Sequence, residues 1–335
     1  MREAHLSYLA CPECGEGLVV DRIEARKNDS IETGHLKCPS CNVLYPIVRG
    51  VPRFVPIDNY ASSFGLEWTI HARTQYDSQS GIDVSRRRFF EETRWAQDLK
   101  GESILEVGSG SGRFTEQAAS TGAFVASLDY SSAVEANYQS NGERKNVLIV
   151  QGDIYAIPFK LRTFDKLFCF GVLQHTPDPH RAFSCLPPQL RPGGQLVVDI
   201  YKRTFVSVYL SPKYYVRPIT RKMKPGRLYR LVKCYVDFMW PICNLIQKIP
   251  KIGPSLNWRL LVADYSKLGL HGDRLKDWAY LDTFDMLSPR YDRPQTLTTM
   301  RGWFQKHRLV DVEVGYGYNG IEGRGSVPER SGESG

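Results

Sequence analysis

The chain has 335 residues, 42% of them hydrophobic, and a formal net charge of +8. That apolar content excludes a disordered protein, and the length suits one large domain or two modest ones. The charge is concentrated: residues 201–260 hold thirteen Lys and Arg against the single acidic Asp237, which leaves the rest of the chain at −4. A uniformly basic binder is thereby excluded, and a basic element on a mildly acidic protein is expected. No stretch reaches 18 uncharged apolar residues, so a membrane-spanning helix is not expected.

In chain order, residues 1–56 come first and read as a small unit with little core of its own. They carry two CxxC pairs, Cys11/Cys14 and Cys38/Cys41, with 23 residues between them. Four thiolates at this spacing can surround one tetrahedral zinc ion, and the metal supplies folding energy that about fifty residues cannot bury for themselves. All four ligands come from protein, so the expected Zn2+ is structural. Unmetallated thiols and a catalytic redox pair are the alternatives. The remaining cysteines, Cys169, Cys185, Cys234 and Cys243, are scattered in apolar settings. No signal peptide precedes the first pair. A reducing, cytoplasmic location is therefore expected, with peripheral contact at the inner membrane surface as an open addition.

Residues 57–100 read as a helical lead-in or lid. In RRRFFEETRWAQDL, Phe89, Phe90 and Trp95 share an apolar side while Arg86–Arg88 stay solvated. From residue 101 the period changes. Short apolar runs at Ile104–Val107, Phe124–Leu128, Val147–Val150, Phe164–Phe170 and Gln195–Ile200 alternate with helical segments, which predicts a mostly parallel sheet with helices on both faces. After Tyr201 the alternation stops. Residues 201–295 read as a basic, mostly helical insertion or acceptor lid. Residues 296–322 return to complete the core through a helix at Thr296–His307 and a strand at Val310–Val314. The Gly/Ser-rich segment 323–335 is expected to be a frayed tail.

The candidate site falls on the carboxyl ends of the predicted strands, where open α/β sheets bind ligands. Gly108, Gly110 and Gly112, with Ser109 between them, form a strand-to-helix turn that lets backbone approach a ligand closely. This is not GxGxxG, and dinucleotide binding is only an alternative. Glu106 precedes the turn, where a carboxylate can meet a cationic amino-acid moiety. Asp129 ends the second strand, 17 residues after Gly112, where it can accept from two ribose hydroxyls or else cap a turn; Tyr130 follows it. Gly152, Asp153 and Ile154 follow the third strand, with Asp153 able to accept from an adenine amino group and Ile154 able to cover the base. The fourth strand ends at Phe170, and Gln174 and His175 stand just beyond it. Tyr155, Tyr201, Phe64, Trp68 and Tyr76 are further wall candidates, and His271, Asp282, Asp285, Arg290 and Tyr291 are unranked candidates from the insertion.

The set EVGSGSG (Glu106–Gly112), SLDYS (Ser127–Ser131), GDIYAIPF (Gly152–Phe159), FDKLFCFGVLQHTPDP (Phe164–Pro179) and LRPGG (Leu190–Gly194) resembles the class I S-adenosylmethionine-dependent methyltransferases over about residues 101–200. The N-terminal unit, with YPIVRGVPRFV (Tyr45–Val55), resembles the Trm112-like zinc ribbon. The resemblance implies an α/β fold, a Rossmann-like seven-stranded methyltransferase sheet with its last strand antiparallel, carrying a small N-terminal zinc ribbon and a helical insertion or lid. It also implies S-adenosyl-L-methionine as cofactor, with the methionine carboxylate on the Gly108–Gly112 backbone, the ribose on Asp129 and the adenine on Asp153 and Ile154. SFGLEW (Ser63–Trp68) and LSPRYDRPQT (Leu287–Thr296) more loosely resemble methyltransferases of secondary metabolism or surface polysaccharides.

A sulfonium methyl is already activated, so the enzyme's tasks are alignment, exclusion of water and an available acceptor lone pair. His175 is the candidate general base for an oxygen acceptor, against a packing role. The expected reaction is O-methylation of a small-molecule, sugar or natural-product acceptor. N-methylation, RNA or protein methylation, and a non-catalytic zinc-containing scaffold are the alternatives. The end of the fourth strand lacks an NPPY-like tetrapeptide, which weighs against base methylation. The expected partner is a small-molecule or glycan acceptor, with nucleic acid set aside. The basic stretch 201–254, rich in interleaved aromatics, reads foremost as a lid or homo-oligomer contact, and second as an anionic membrane-surface contact.

Overall fold

The computed structural model of the protein describes residues 1–56 and 59–329. After a single 3-10 turn, strands β1 (Val19–Lys27), β2 (Ser30–Lys37), β3 (Leu44–Val48) and β4 (Val51–Pro52) form an antiparallel sheet in sequential order. β1 is mostly exposed, so this unit buries its apolar side chains against its neighbour. Leu9, Ile31, Leu36 and Ile47 pack into the same cluster as Leu105, Leu128 and Val150 of the large sheet. Backbone pairing reinforces the junction: Phe54 donates to the Gln151 carbonyl at 2.8 Å, and Leu9 bridges Phe159. The metal-site unit is therefore seated on the edge of the core sheet.

Three helices lead in: α1 (Ser62–Ile70), α2 (Asp77–Ser80) and α3 (Val84–Thr93). α3 ends where Arg94 takes a left-handed conformation at φ 56°, and Phe89 and Trp95 pack edge-on against Phe168. One expectation fails here. Arg88 is not solvated: it is 12% exposed and bonded to Glu92 and to Asp199. Its position on α3 turns it toward the sheet, and the two buried carboxylates compensate the loss of water.

The core runs β5 (Ser103–Val107), α4 (Arg113–Ser120), β6 (Phe124–Asp129), α5 (Val134–Asn141), β7 (Val147–Gln151), β8 (Phe164–Cys169), α6 (Pro179–Ser184) and β9 (Leu190–Ile200). Every residue of β5 and β7 is buried, as expected of strands covered on both faces. Asp178 caps α6 by accepting from Arg181 N at 3.1 Å, with Pro179 at the first helical position.

The insertion forms α7 (Phe205–Tyr209), α8 (Lys213–Thr220), α9 (Pro225–Ile246), α10 (Gly253–Arg259) and α11 (Gly272–Leu287). Val232 and Val236 of α9 pack with Ala279 and Phe284 of α11. Trp278 of α11 donates to the Thr74 carbonyl at 3.0 Å, which ties the insertion to the lead-in. Among the described residues, no helix is long and apolar enough to cross a membrane.

Thr296 caps α12 (Leu297–Lys306), and β10 (Val310–Gly317) and β11 (Gly320–Ser326) close the large sheet. Its order is β10-β11-β9-β8-β5-β6-β7, with β5 through β9 parallel and β11 antiparallel to both neighbours. The segment read as a tail from Gly323 is strand as far as Ser326, paired residue for residue with β9. Its glycines misled the reading. Gly323 and Gly325 lie under Phe304: a Cβ at Gly323 would fall 2.6 Å from Phe304 Cε2, and one at Gly325 would crowd Phe304 Cδ1 at 3.0 Å. Residues 330–335 lie outside the described residues.

Candidate functional site

A cavity of about 490 Å³ opens at the carboxyl ends of β5, β6 and β8 and is roofed by α1 and α11. Of the expected donor residues, Gly108, Ser109, Gly110, Asp129, Tyr130, Gly152, Ile154 and Phe170 line it, as does His175. Gly108 has φ +86°, and a Cβ there would fall 2.0 Å from Val172 Cγ2, so only glycine lets the turn pass. Asp129 Oδ2 accepts from Gly110 N at 2.8 Å, and its Oδ1 accepts from Ser131 N and Oγ at 2.8 and 2.7 Å. Burial pushes its carboxyl above the usual range, against those hydrogen bonds. Ser109 Oγ is buried on the same wall and has no partner among the described residues.

Four expected residues do not line the cavity. Glu106 is buried behind it and accepts from Thr115 Oγ1 and, at 2.9 Å, from Ser127 Oγ. Gly112, at φ +94°, meets Asn137, not the opening: a Cβ would sit 2.1 Å from Asn137 Oδ1. Asp153 accepts from Tyr155 N at 2.9 Å beside the wall formed by Ile154. Gln174 is fully buried, and both of its amide atoms lack partners among the described residues. Tyr76 also stands behind the turn, donating to the Ser111 carbonyl at 2.7 Å. Tyr155 donates to the Asp178 carbonyl at 2.9 Å.

His175 is 8% exposed, with its ring 5.3 Å from that of Phe64 and 5.4 Å from that of Tyr201. Its Nδ1 lies 3.0 Å from the Tyr291 carbonyl. A carbonyl only accepts, so this contact places a proton on Nδ1, and in the neutral ring Nε2 is then the basic nitrogen. Phe64, Trp68, Tyr201, Asp282 and Asp285 reach the wall; His271 and Arg290 do not.

The wall also holds residues not singled out from the sequence: Glu67, which lies within SFGLEW, and Arg88, Arg113 and Tyr265. Burial pushes Glu67 well above the carboxylate range, and Asp285 and Asp282 push it further. Burial and then Asp285 raise Asp282 to about 7. Arg113 is lowered to about 10 by burial and by Arg88. For Arg88 the two carboxylates outweigh burial and hold its charge firmly. Helix spacing alone could have shown that Asp282 and Asp285 share a face, whereas SFGLEW contains Glu67 without anything local to mark its carboxylate as part of the wall.

The four Sγ atoms of Cys11, Cys14, Cys38 and Cys41 lie within 4.8 Å of one another. Individual separations are 3.6 Å for Cys11–Cys41, 3.5 Å for Cys14–Cys38 and 3.9 Å for Cys14–Cys41. A tetrahedron with zinc–sulfur bonds of about 2.3 Å needs sulfurs about 3.8 Å apart, so the cluster fits a structural zinc with no open position.

Residues 105–198 match the family model described as a methyltransferase domain, and residues 2–50 match that of Trm112p-like protein. The chain carries a class I methyltransferase fold fused to a small Trm112-like domain with a four-cysteine metal cluster. A ubiquinone biosynthesis O-methyltransferase of Coxiella burnetii is 31% identical over 109 residues, 32% of this chain and 47% of that protein. A tRNA U34 carboxymethyltransferase of Pseudoalteromonas translucida is 35% identical over 107 residues, 31% of this chain and 33% of that protein. The chain thus spans about half the length of the first relative and a third of the second. A solved chain from the complex of the Haloferax volcanii Trm112 methyltransferase activator is similar at TM-score 0.44 and 12% identity, over 79% of this chain and 98% of that one.

These relatives correct one expectation. Nucleic acid was set aside in favour of a small-molecule or glycan acceptor, yet the relatives divide between ubiquinone biosynthesis and tRNA enzymes. The basic stretch and the missing tetrapeptide therefore do not decide the partner.

The wall residues fit S-adenosylmethionine: an unpartnered buried hydroxyl on Ser109, a turn that no side chain can fill at Gly108, and a carboxylate on Asp129.

Proposed function

We propose that the protein is an S-adenosylmethionine-dependent methyltransferase that methylates a hydroxyl, with His175 as general base. The Gly108–Gly110 turn and Ser109 would hold the amino-acid end of the donor, Asp129 the ribose, and Tyr130 and Ile154 the base. When bound, the donor supplies a methyl group on a positively charged sulfur that leaves as a neutral thioether.

The protein's own work is positional and electrostatic. The roof from α1 and α11 limits water, and the cavity confines the acceptor. As the acceptor oxygen forms its bond to carbon, its proton passes to His175 Nε2. The Tyr291 carbonyl keeps the imidazole in the tautomer that can take it.

The observation that carries this reading is His175, oriented through Nδ1 on the same wall as Asp129 and the glycine turn. The cavity admits a small acceptor or the single reacting unit of a larger one, a tRNA nucleotide included. Calorimetry with S-adenosylmethionine and S-adenosylhomocysteine tests the donor half, with both expected to bind. Tight binding of a nicotinamide or flavin nucleotide in their place would overturn the reading.

A further inference from the structure

Three carboxylates converge on the cavity from two elements far apart in sequence: Glu67 on α1, and Asp282 and Asp285 on α11. Asp285 accepts from the Tyr201 hydroxyl at 3.5 Å, and the Tyr201 ring stands edge-on to His175. The cluster therefore adjoins the candidate base. Asp282 accepts from Gln75 Nε2 at 3.3 Å and also bonds the Tyr265 hydroxyl. Glu67 is different. It is 1% exposed, lines the cavity, and its Oε2 has no hydrogen-bond partner among the described residues.

Among the described residues Arg87, Arg88, Arg113 and Lys267 are the cations on the wall; Arg113 and Arg88 favour ionised Asp282, and of these four only Arg113 favours ionised Glu67. Arg88 is already held by Glu92 and Asp199. Buried carboxylates that repel one another are costly to ionise unless a cation joins them. An occupant with an ammonium group would satisfy Glu67 Oε2 and offset the repulsion with its own charge. A neutral occupant could donate a hydrogen bond to Oε2 but would leave the repulsion in place, and an anionic one would add to it.

We infer that Glu67, Asp282 and Asp285 select the acceptor, and that the acceptor carries a protonated amine close to the hydroxyl that is methylated. The inference rests on the methyl-transfer reading above.

The test has two arms on the full-length protein. In the first, radiolabelled S-adenosylmethionine is incubated with the wild-type protein and a metabolite and RNA extract of the cells that make it. One half of the extract is first treated with acetic anhydride in water at mild alkaline pH, which caps amines and leaves most hydroxyls free. The expected result is a labelled product retained by a cation exchanger, formed only with the uncapped extract. Label in a neutral product, in RNA, or in the capped extract would overturn the inference while leaving methyl transfer standing. Label on nitrogen would overturn both O-methylation and the inference, since an amine that attacks carbon must first lose its proton. No label in either extract would remove the methyl-transfer reading and this inference with it.

The second arm titrates S-adenosylmethionine and S-adenosylhomocysteine into Asp282→Asn and Asp285→Asn, with affinities expected within about threefold of wild type. A loss of about tenfold or more for both ligands would show that the carboxylates grip the donor's own ammonium, and would overturn the assignment to the acceptor. The purified acceptor from the first arm should show KM raised about tenfold or more in the same variants. An unchanged KM would also overturn it.

Discussion

Gly110 donates its backbone N–H to Asp129 Oδ2 at 2.8 Å, which joins the turn after β5 to the carboxylate that ends β6. Two motifs 19 residues apart become one surface through this bond. It fixes the carboxylate against the turn and leaves acceptor capacity for a ligand, since each carboxylate oxygen takes more than one hydrogen bond.

The first prediction follows from that bond. Asp129→Ala should weaken S-adenosylmethionine and S-adenosylhomocysteine alike by about 10- to 100-fold, the usual worth of hydrogen bonds to a charged group. Calorimetry measures it. Wild-type affinity in the variant would remove Asp129 from the donor site.

His175→Ala should separate binding from chemistry. Loss of a positioned general base lowers kcat by about 10²- to 10⁴-fold, with donor affinity unchanged. Initial rates at saturating donor, set beside a donor titration, check this. A kcat equal to wild type would leave His175 with a packing role against Phe64 and Tyr201.

Glu106 sets a pH dependence of stability. Burial raises its carboxyl from 4.5 to about 7, although Thr115 and Ser127 hydrogen bonds favour the charged form. Between those values the folded chain holds a proton that the unfolded chain has released. Stability from this group is therefore present at low pH and lost as pH rises toward 7, by about 3 kcal/mol. Glu106→Gln mimics the protonated form, so it should flatten that slope and be more stable than wild type at pH 8. Urea denaturation across the window measures it, and a variant less stable at pH 8 would contradict the assignment.

Metal content provides a fourth prediction. Purified protein should hold one zinc per chain, and chelator with reductant should lower the melting temperature, as should Cys38→Ser. Because Leu36 and Ile47 share a cluster with the large sheet, the loss should destabilise the core as well as the ribbon. A melting curve indifferent to chelator would place the folding energy elsewhere.

Much of this was legible before the structure. The alternation of apolar runs with helical segments located β5 to β9 to within a few residues, because a parallel sheet buried on both faces demands continuous apolar strands. The CxxC spacing was equally direct. The glycines of β11 were not, since composition reads Gly323 and Gly325 as tail while Phe304 crowds both positions. Arg88 was misread for a similar reason: a run of three arginines looks solvated until Asp199 is brought beneath one of them.

The succession of core strands and helices along the chain, the glycine turn and the four thiols could be read from the chain because each depends on local spacing: continuous apolar runs, a tight turn, a pair of knuckles. The gathering of Glu67 with Asp282 and Asp285, and the seating of His175 on Tyr291, were settled only in three dimensions. Those contacts span more than a hundred residues, and side chains so distant in sequence meet only when packing of the whole core determines which faces of α1 and α11 point inward.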